Sequence, residues 1–248
     1  MDKLPLISII VPVYNVKDYL LQCLNSLIAI NYPSKEIIIV DDCSTDGSLD
    51  LCFLFKEKHP DLILIQHEKN QGVQAARITG VTNASGKYVM FVDSDDFVDP
   101  EILNHLVSTA IQSQADLVCV SSYWYSKGAK SEDRRSIYGV YHGKEIEALF
   151  QRNLMMDEGL YKAGMPMYLW GKLFKKDAVL ESLHKGLGLK YGEDEITVVD
   201  YLMNYTDTLV SLEAPLYYYR QHSLQITSKT IIELMVGLYF VMGTSRDA

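Results

Sequence analysis

Ile7 to Val13 is an unbroken apolar run rich in β-branched residues, the pattern of a strand covered on both faces. Tyr19, Leu20, Cys23, Leu24, Leu27 and Ile28 then recur at three- and four-residue spacing and predict a helix. Glu36 to Val40 reads as a second strand. Ser44 or Asp46 is placed to cap a helix through Leu49, Phe53 and Leu54. Leu62 to Gln66 is a third strand, Val73 to Val81 a helix followed by a turn at Gly86, and Tyr88 to Val92 a fourth strand. Pro100 suits the first turn of a helix whose apolar face is Ile102, Leu103, Leu106 and Val107. Leu117 to Ser121 is a fifth strand.

This alternation predicts an α/β chain with a mostly parallel central sheet and helices on both faces, in a Rossmann-like order. After Tyr123 the pattern weakens. Lys127 to Arg135 is polar and charged and reads as a mobile loop or insertion. Helix signals return at Lys144 to Gln151 and after Glu193, and Tyr217 to Arg220 is aromatic. Ile231 to Met242 is apolar but too short for a bilayer, which takes about 20 residues, and Glu233 interrupts it. It is expected to pack on the core, meet a partner chain such as a second copy, or touch a membrane surface.

At 248 residues, with 48% hydrophobic and 22% charged, the chain has material for one large core, and its composition argues against disorder. A net charge of −9 with no Lys/Arg cluster longer than a pair argues against a nucleic-acid coat. Cys23, Cys43, Cys52 and Cys119 form no CxxC, which suits free thiols in a reducing compartment. Leu4 to Val13 carries Pro12 and lacks a strong basic start, so a strand is a better reading than a signal peptide. The expected location is the cytoplasm, with the inner face of the cell membrane as its variant.

Two acidic clusters follow two strands: Asp41-Asp42, and Asp93-Ser94-Asp95-Asp96. In open parallel sheets, ligands bind outside the carboxyl ends of the strands. Two carboxylates ~4 Å apart repel by about 4 kcal/mol at an effective dielectric of 20. The second cluster therefore calls for a positive partner, and Mn²⁺ or Mg²⁺ held together with substrate phosphates is an economical one. The plain structural alternative is a solvated turn with Asp96 or Asp99 as a helix cap. There is no GxGxxG after the first strand and no GxxxxGK[ST], which disfavours dehydrogenases and P-loop enzymes.

Four stretches then carry a resemblance. They are Ile9 to Asn15 (IIVPVYN), Val40 to Ser48 (VDDCSTDGS), Asn70-Gln71-Gly72 with Ala75-Ala76-Arg77, and Phe91 to Asp96 (FVDSDD). In order and spacing, across roughly residues 5 to 121, they resemble the family 2 glycosyltransferases of GT-A fold. Trp170 to Phe174 (WGKLF), Gly192-Glu193-Asp194, and Tyr217 to Arg220 followed by Ile226-Thr227 resemble later motifs of that family. Departures are Cys43 where glycine is usual, Ile78 and Gly171 in place of Asn, and Gln225 in place of a frequent Ser.

The resemblance implies a donor half in residues 1–121, an acceptor and catalytic half in 122–228, and an apolar tail in 229–248. Pro12, Val13 and Tyr14 would line a nucleoside pocket, and Asp41-Asp42 would sit beside it, with Asp42 accepting from the base, uracil being the natural donor. Asp93 and Ser94 would lie near the ribose. Asp95 would ligate the metal bridging the diphosphate, and Arg77 would hold the diphosphate or orient the carboxylates. Asp194, with Glu193 as alternate, would be the general base of an inverting transfer. Trp170 is a candidate sugar platform or a core residue. Arg220 is a candidate phosphate grip or ion-pair partner, and His222 a third metal ligand or a surface loop residue. The implied partners are a nucleoside diphosphate sugar, probed first as a UDP-sugar, and a saccharide or lipid-linked hydroxyl acceptor of cell-surface polysaccharide or glycolipid synthesis. The non-enzyme alternative is a silent relative that keeps only the nucleotide pocket.

Overall fold

A computed structural model describes residues 4–132, 137–155, 167–189 and 191–221. The elements run β1 (Ile7–Val13), α1 (Lys17–Ile28), β2 (Lys35–Asp41), α2 (Ser48–Lys58), β3 (Ile63–Gln66), α3 (Val73–Thr82) and β4 (Tyr88–Phe91). They continue as β5 (Phe97–Val98), α4 (Ile102–Ser113), β6 (Leu117–Ser126), β7 (Ala129–Glu132), β8 (Gly139–His142) and α5 (Lys144–Met155). The last are β9 (Lys172–Lys175), α6 (Lys176–Lys185), α7 (Glu193–Tyr205) and β10 (Thr208–Arg220).

These strands join one sheet in the order β3-β2-β1-β4-β9-β6-β10-β5, with β7 beside β6 and β8 beside β10. β1 pairs in parallel with β2 and β4, β2 with β3, and β6 with β10. β9 runs antiparallel between β4 and β6, so those two neighbours point the same way. The carboxyl ends of β1, β2, β4, β6 and β10 therefore share one edge, the edge at which open parallel sheets bind ligands. β9 lies late in the chain and inserts between two earlier strands, which ties both halves of the sequence into one sheet.

Alternate residues of each strand feed opposite faces. Ile7, Ile9, Val11 and Val13 pack with α1, α2 and α4. Ile10, Ile38, Val40 and Phe91 pack with α3, α5, α6 and α7. Gly80 lets α3 lie close on β1, since a Cβ there would come within 2.4 Å of the Ile10 side chain. That close approach sets how deep Arg77, one turn earlier, sits under the edge.

The early strands and helices fall where their apolar patterns placed them, within a residue or two. The burial face of α2 differs from expectation. Phe53 and Leu54 are about half exposed, and Cys52 and Phe55 are the buried pair. Lys127 to Arg135 is not simply a loop. Lys127 and Gly128 both have positive φ and make a two-residue turn joining β6 to β7, as hairpin twist requires; residues 133–136 lie outside the described set. β6 extends to Ser126, and the aromatic Tyr217–Arg220 stretch is the end of a long strand.

Candidate functional site

The loops after β1 and β2 are laced together by short polar side chains. Asn15 N donates to Ser44 Oγ (3.1 Å) and Thr45 N to Asn15 Oδ1 (2.8 Å). Val16 N donates to Ser48 Oγ (2.9 Å) and Lys17 N to Asp46 Oδ2 (3.0 Å). Asp46 Oδ1 also accepts from Ser48 N at the start of α2 (2.8 Å), so Asp46 serves that helix end, while Gly47 takes the left-handed N-cap position. These bonds fix the floor beside Pro12 and Val13, which are buried, and leave Tyr14 half exposed above it.

The two aspartates after β2 divide their work. Asp42 Oδ1 accepts from Gln71 N (2.9 Å) and meets His67 Nδ1 (2.7 Å), and its Oδ2 accepts from Gly72 N (2.7 Å). His67 Nε2 in turn meets Thr79 Oγ1 at 2.9 Å. Asp42 is thus fully engaged in tying the 67–72 loop to β2. Asp41 Oδ2 accepts from Ser44 N (3.0 Å), but its buried Oδ1 has no hydrogen-bond partner among the described residues.

The Asp93–Asp96 turn is held from β10. Tyr217 Oη donates to Asp96 Oδ2 (2.8 Å) and accepts from Asp93 N (3.1 Å), and Arg220 N donates to Asp96 Oδ1 (2.7 Å). Asp96 is fully buried and structural; burial pushes its carboxyl well above the usual range, with Asp95 and Asp93 adding to the push. Ser94 is buried between the two flanking acids, Asp93 and Asp95.

Arg77 is the node of the site. It is buried, its Nη1 contacts Asp194 Oδ1 and lies 3.6 Å from Glu193 Oε1, and its Nη2 lies 3.4 Å from Asp93 Oδ1. Burial opposes its charge, but Asp194, Asp93 and Glu193 outweigh that effect and raise its pKa. Asp93 is pushed up to about 7 by burial, against the pull of Arg77 and with the help of Asp194 and Asp95. Negative charge thus exceeds positive charge here. Asp194 Oδ2 accepts from Leu169 N at 3.3 Å, so each oxygen of that carboxylate has its own partner. The acids Glu193, Asp194 and Glu195 fill the first turn of α7, where a helix favours negative charge.

No group of three or more His, Cys, Asp or Glu forms a metal cage among the described residues. The donor set that the turn does present, the Asp93 and Asp95 carboxylates, is hard oxygen. It fits Mn²⁺ or Mg²⁺ whose other ligands are phosphates and water. His222 and the Ile231 to Met242 segment lie outside the described residues.

Trp170 and Arg220, each read from sequence with a ligand role and a structural alternative, both have protein neighbours. Trp170 is a core residue, 6% exposed, stacked at 4.4 Å on both Tyr168 and Tyr217 and at 5.5 Å on Tyr219, so its ring is committed to protein neighbours. Arg220 Nε donates to Asp95 O (2.6 Å) and Nη2 to Gln22 Oε1 (2.6 Å). Its guanidinium also lies over the Tyr19, Phe97 and Tyr125 rings, so it braces the acidic turn from outside. Sequence reasoning names Asp46 as a candidate cap for α2, which agrees with its place at that helix start, takes Asn15, Ser48 and Tyr217 only as parts of longer motifs, and passes over His67. Their signal was only that short polar groups follow strands, and that one tyrosine of an aromatic run faces inward.

Comparison with known proteins bears on the family and the fold. A family model described as Glycosyl transferase family 2 matches residues 8–171. Glycosyltransferase GlyA of Streptococcus pneumoniae is 36% identical over 86% of this chain and 30% of its own length. The poly(ribitol-phosphate) beta-glucosyltransferase of Bacillus spizizenii is 40% identical over 45% of this chain and 18% of its own. This chain thus spans under a third of the length of either relative. Among solved structures, S. aureus TarS 1–349 in complex with UDP-GlcNAc has a TM-score of 0.74 at 22% identity, covering 98% of this chain and 68% of that one. The mannosyltransferase PcManGT of Pyrobaculum calidifontis, solved with GDP-Man and Mn²⁺, gives 0.60 at 18% identity, covering 94% and 60%. The fold is therefore of GT-A type, and the chain belongs to glycosyl transferase family 2.

Proposed function

We propose that this chain transfers a sugar, with inversion, from a UDP-sugar to a hydroxyl acceptor in the making of a cell-surface saccharide. The observation that carries the reading is the buried Arg77, which grips Asp93 from the metal-type turn and Asp194 from the base-type helix at once. It draws donor and acceptor chemistry into one cluster at the binding edge of the sheet. TarS, of like fold, was solved with UDP and with UDP-GlcNAc, which supports the choice of donor.

In this reading Pro12, Val13 and Tyr14 shape the nucleoside pocket. Asp41 takes the base contact, because its buried Oδ1 lacks a protein partner whereas Asp42 is engaged in the loop. Asp93 and Ser94 face the ribose side, and Asp95 would hold Mn²⁺ or Mg²⁺ together with the donor phosphates. That ion, when bound, supplies Lewis-acid stabilisation of the leaving diphosphate. Asp194 accepts the proton of the acceptor hydroxyl, whose oxygen displaces the diphosphate from the opposite face of the anomeric carbon. Oδ2 is the oxygen for this step, since its bond to Leu169 N is at the long end of the hydrogen-bond range. Partly exposed Tyr168, Tyr219 and Trp124, beside the buried Trp170, offer the sugar platform instead of Trp170 itself.

Calorimetric titration with UDP, with GDP as control and with and without Mn²⁺, tests this reading. Tight UDP binding that needs metal, with only weak binding left in its absence and in Asp95→Ala, is the expected result. A folded protein that binds neither nucleotide would overturn it.

A further inference from the structure

Lys172 is 2% exposed, and although it lies within the WGKLF stretch, no role is assigned to it there. It opens β9 opposite Cys119 of β6, beneath the catalytic edge. Its ammonium donates to Tyr168 O at 2.6 Å. The same peptide group, through Leu169 N, donates to Asp194 Oδ2 at 3.3 Å. A trans peptide is planar, so its carbonyl and N–H point in opposite directions. One peptide unit therefore stands between an ammonium and a carboxylate. Its negative end faces Lys172 and its positive end faces Asp194, which is the favourable sense of its dipole of about 3.5 D.

We propose that Lys172 is a positioning residue for Asp194, acting through the Tyr168–Leu169 peptide. The inference rests on the reading of Asp194 as the general base. Burying an ammonium costs free energy that a packed apolar side chain of similar volume would not. Burial lowers the Lys172 pKa, and Cys119 first and Asp194 second act to keep the ammonium protonated. With the peptide pinned by Lys172, rotation about its flanking bonds would break the contacts at both ends. Asp194 is then held on Oδ1 by Arg77, while its Oδ2 faces, over a long 3.3 Å contact, an N–H whose direction Lys172 fixes. Positioning to within a fraction of an ångström is what a general base requires.

The test uses the full chain with UDP-glucose and UDP-N-acetylglucosamine, reading acceptor-free UDP release with its kcat and KM, UDP affinity, and melting temperature. Lys172→Met is expected to keep melting temperature, UDP affinity and donor KM, while kcat falls about tenfold or more. Lys172→Gln, which keeps an N–H donor without the charge, should fall between, and it serves if the Met variant does not fold. In an Asp194→Asn background, Lys172→Met should change kcat by less than about twofold, because the group it positions is gone. An equal loss in both backgrounds would show a purely structural role and overturn the proposal, as would unchanged kcat in Lys172→Met. Full turnover in Asp194→Asn alone would instead remove the base assignment, and the relay with it.

Discussion

Arg77 and Asp194, 117 positions apart in sequence, form a buried contact between the middle of α3 and the first turn of α7. Arg77 also contacts Asp93 and lies near Glu193, so among the described residues three carboxylates share this guanidinium. Removing one partner of a buried charge pair leaves the others uncompensated, at a cost of about 3–5 kcal/mol. Arg77→Met is expected to lose that much in urea unfolding. Arg77→Lys keeps the charge but not the fork, so it should recover part of the stability and little of the turnover. Wild-type turnover in Arg77→Lys would show that the fork geometry is not used.

Asp41 and Asp42 should separate cleanly. Asp42→Asn weakens charge-assisted bonds to Gln71 N and Gly72 N and the contact to His67, which should cost about 2 kcal/mol of stability. Asp41→Asn should keep most of its stability and weaken UDP binding about tenfold, the loss of one well-made hydrogen bond. Calorimetry on both variants, alongside denaturation, checks the division. The reverse pattern would return the base contact to Asp42.

Much of this division was out of reach of the sequence. Strand ends and acidic clusters were legible because burial on both faces leaves continuous apolar runs, and because carboxylates do not crowd without cause. Which aspartate is engaged in a loop depends on Gln71 and Gly72, some thirty residues away, and no local pattern carries that. Trp170 reads equally as a platform and as a core residue, because an aromatic beside glycine looks the same in a core stack as at a sugar site. Backbone conformation explains two departures from the family pattern. Gly171 has φ +67°, a region that Asn and Gly both enter, so either serves. Cys43 has φ +64°, where glycine is unstrained and cysteine is not, so this chain carries a small local strain beside the proposed nucleoside pocket.

Glu195 gives a stability signature in pH. Burial raises its pKa from 4.5 to about 7, with Asp194 and Glu193 adding to the effect. In the unfolded chain it ionises near the lower value, so between pH 4.5 and 7 the folded state binds more protons. Stability must therefore fall as pH rises through that window. Glu195→Gln should flatten the fall and raise the melting temperature above pH 7, while leaving it little changed near pH 4. A melting curve series that is parallel for wild type and variant would show that Glu195 ionises normally.

Tyr217 tests whether β10 shapes the acidic turn. Its hydroxyl is the link between Asp96 Oδ2 and Asp93 N, deep in the core and stacked against Trp170. Tyr217→Phe keeps the ring and the stack and removes only that oxygen. It leaves a buried carboxylate oxygen and a backbone N–H without their partner, at about 1–3 kcal/mol. The Asp93–Asp96 turn should then loosen, because Arg220 N on Asp96 Oδ1 remains as its second tie from β10 and does not replace the first. Mn²⁺-dependent UDP binding is expected to weaken more than metal-free binding, since the turn positions Asp95 while the nucleoside floor is built from the loops after β1 and β2. Equal weakening with and without metal would place the effect of Tyr217 on the whole pocket and detach it from the turn.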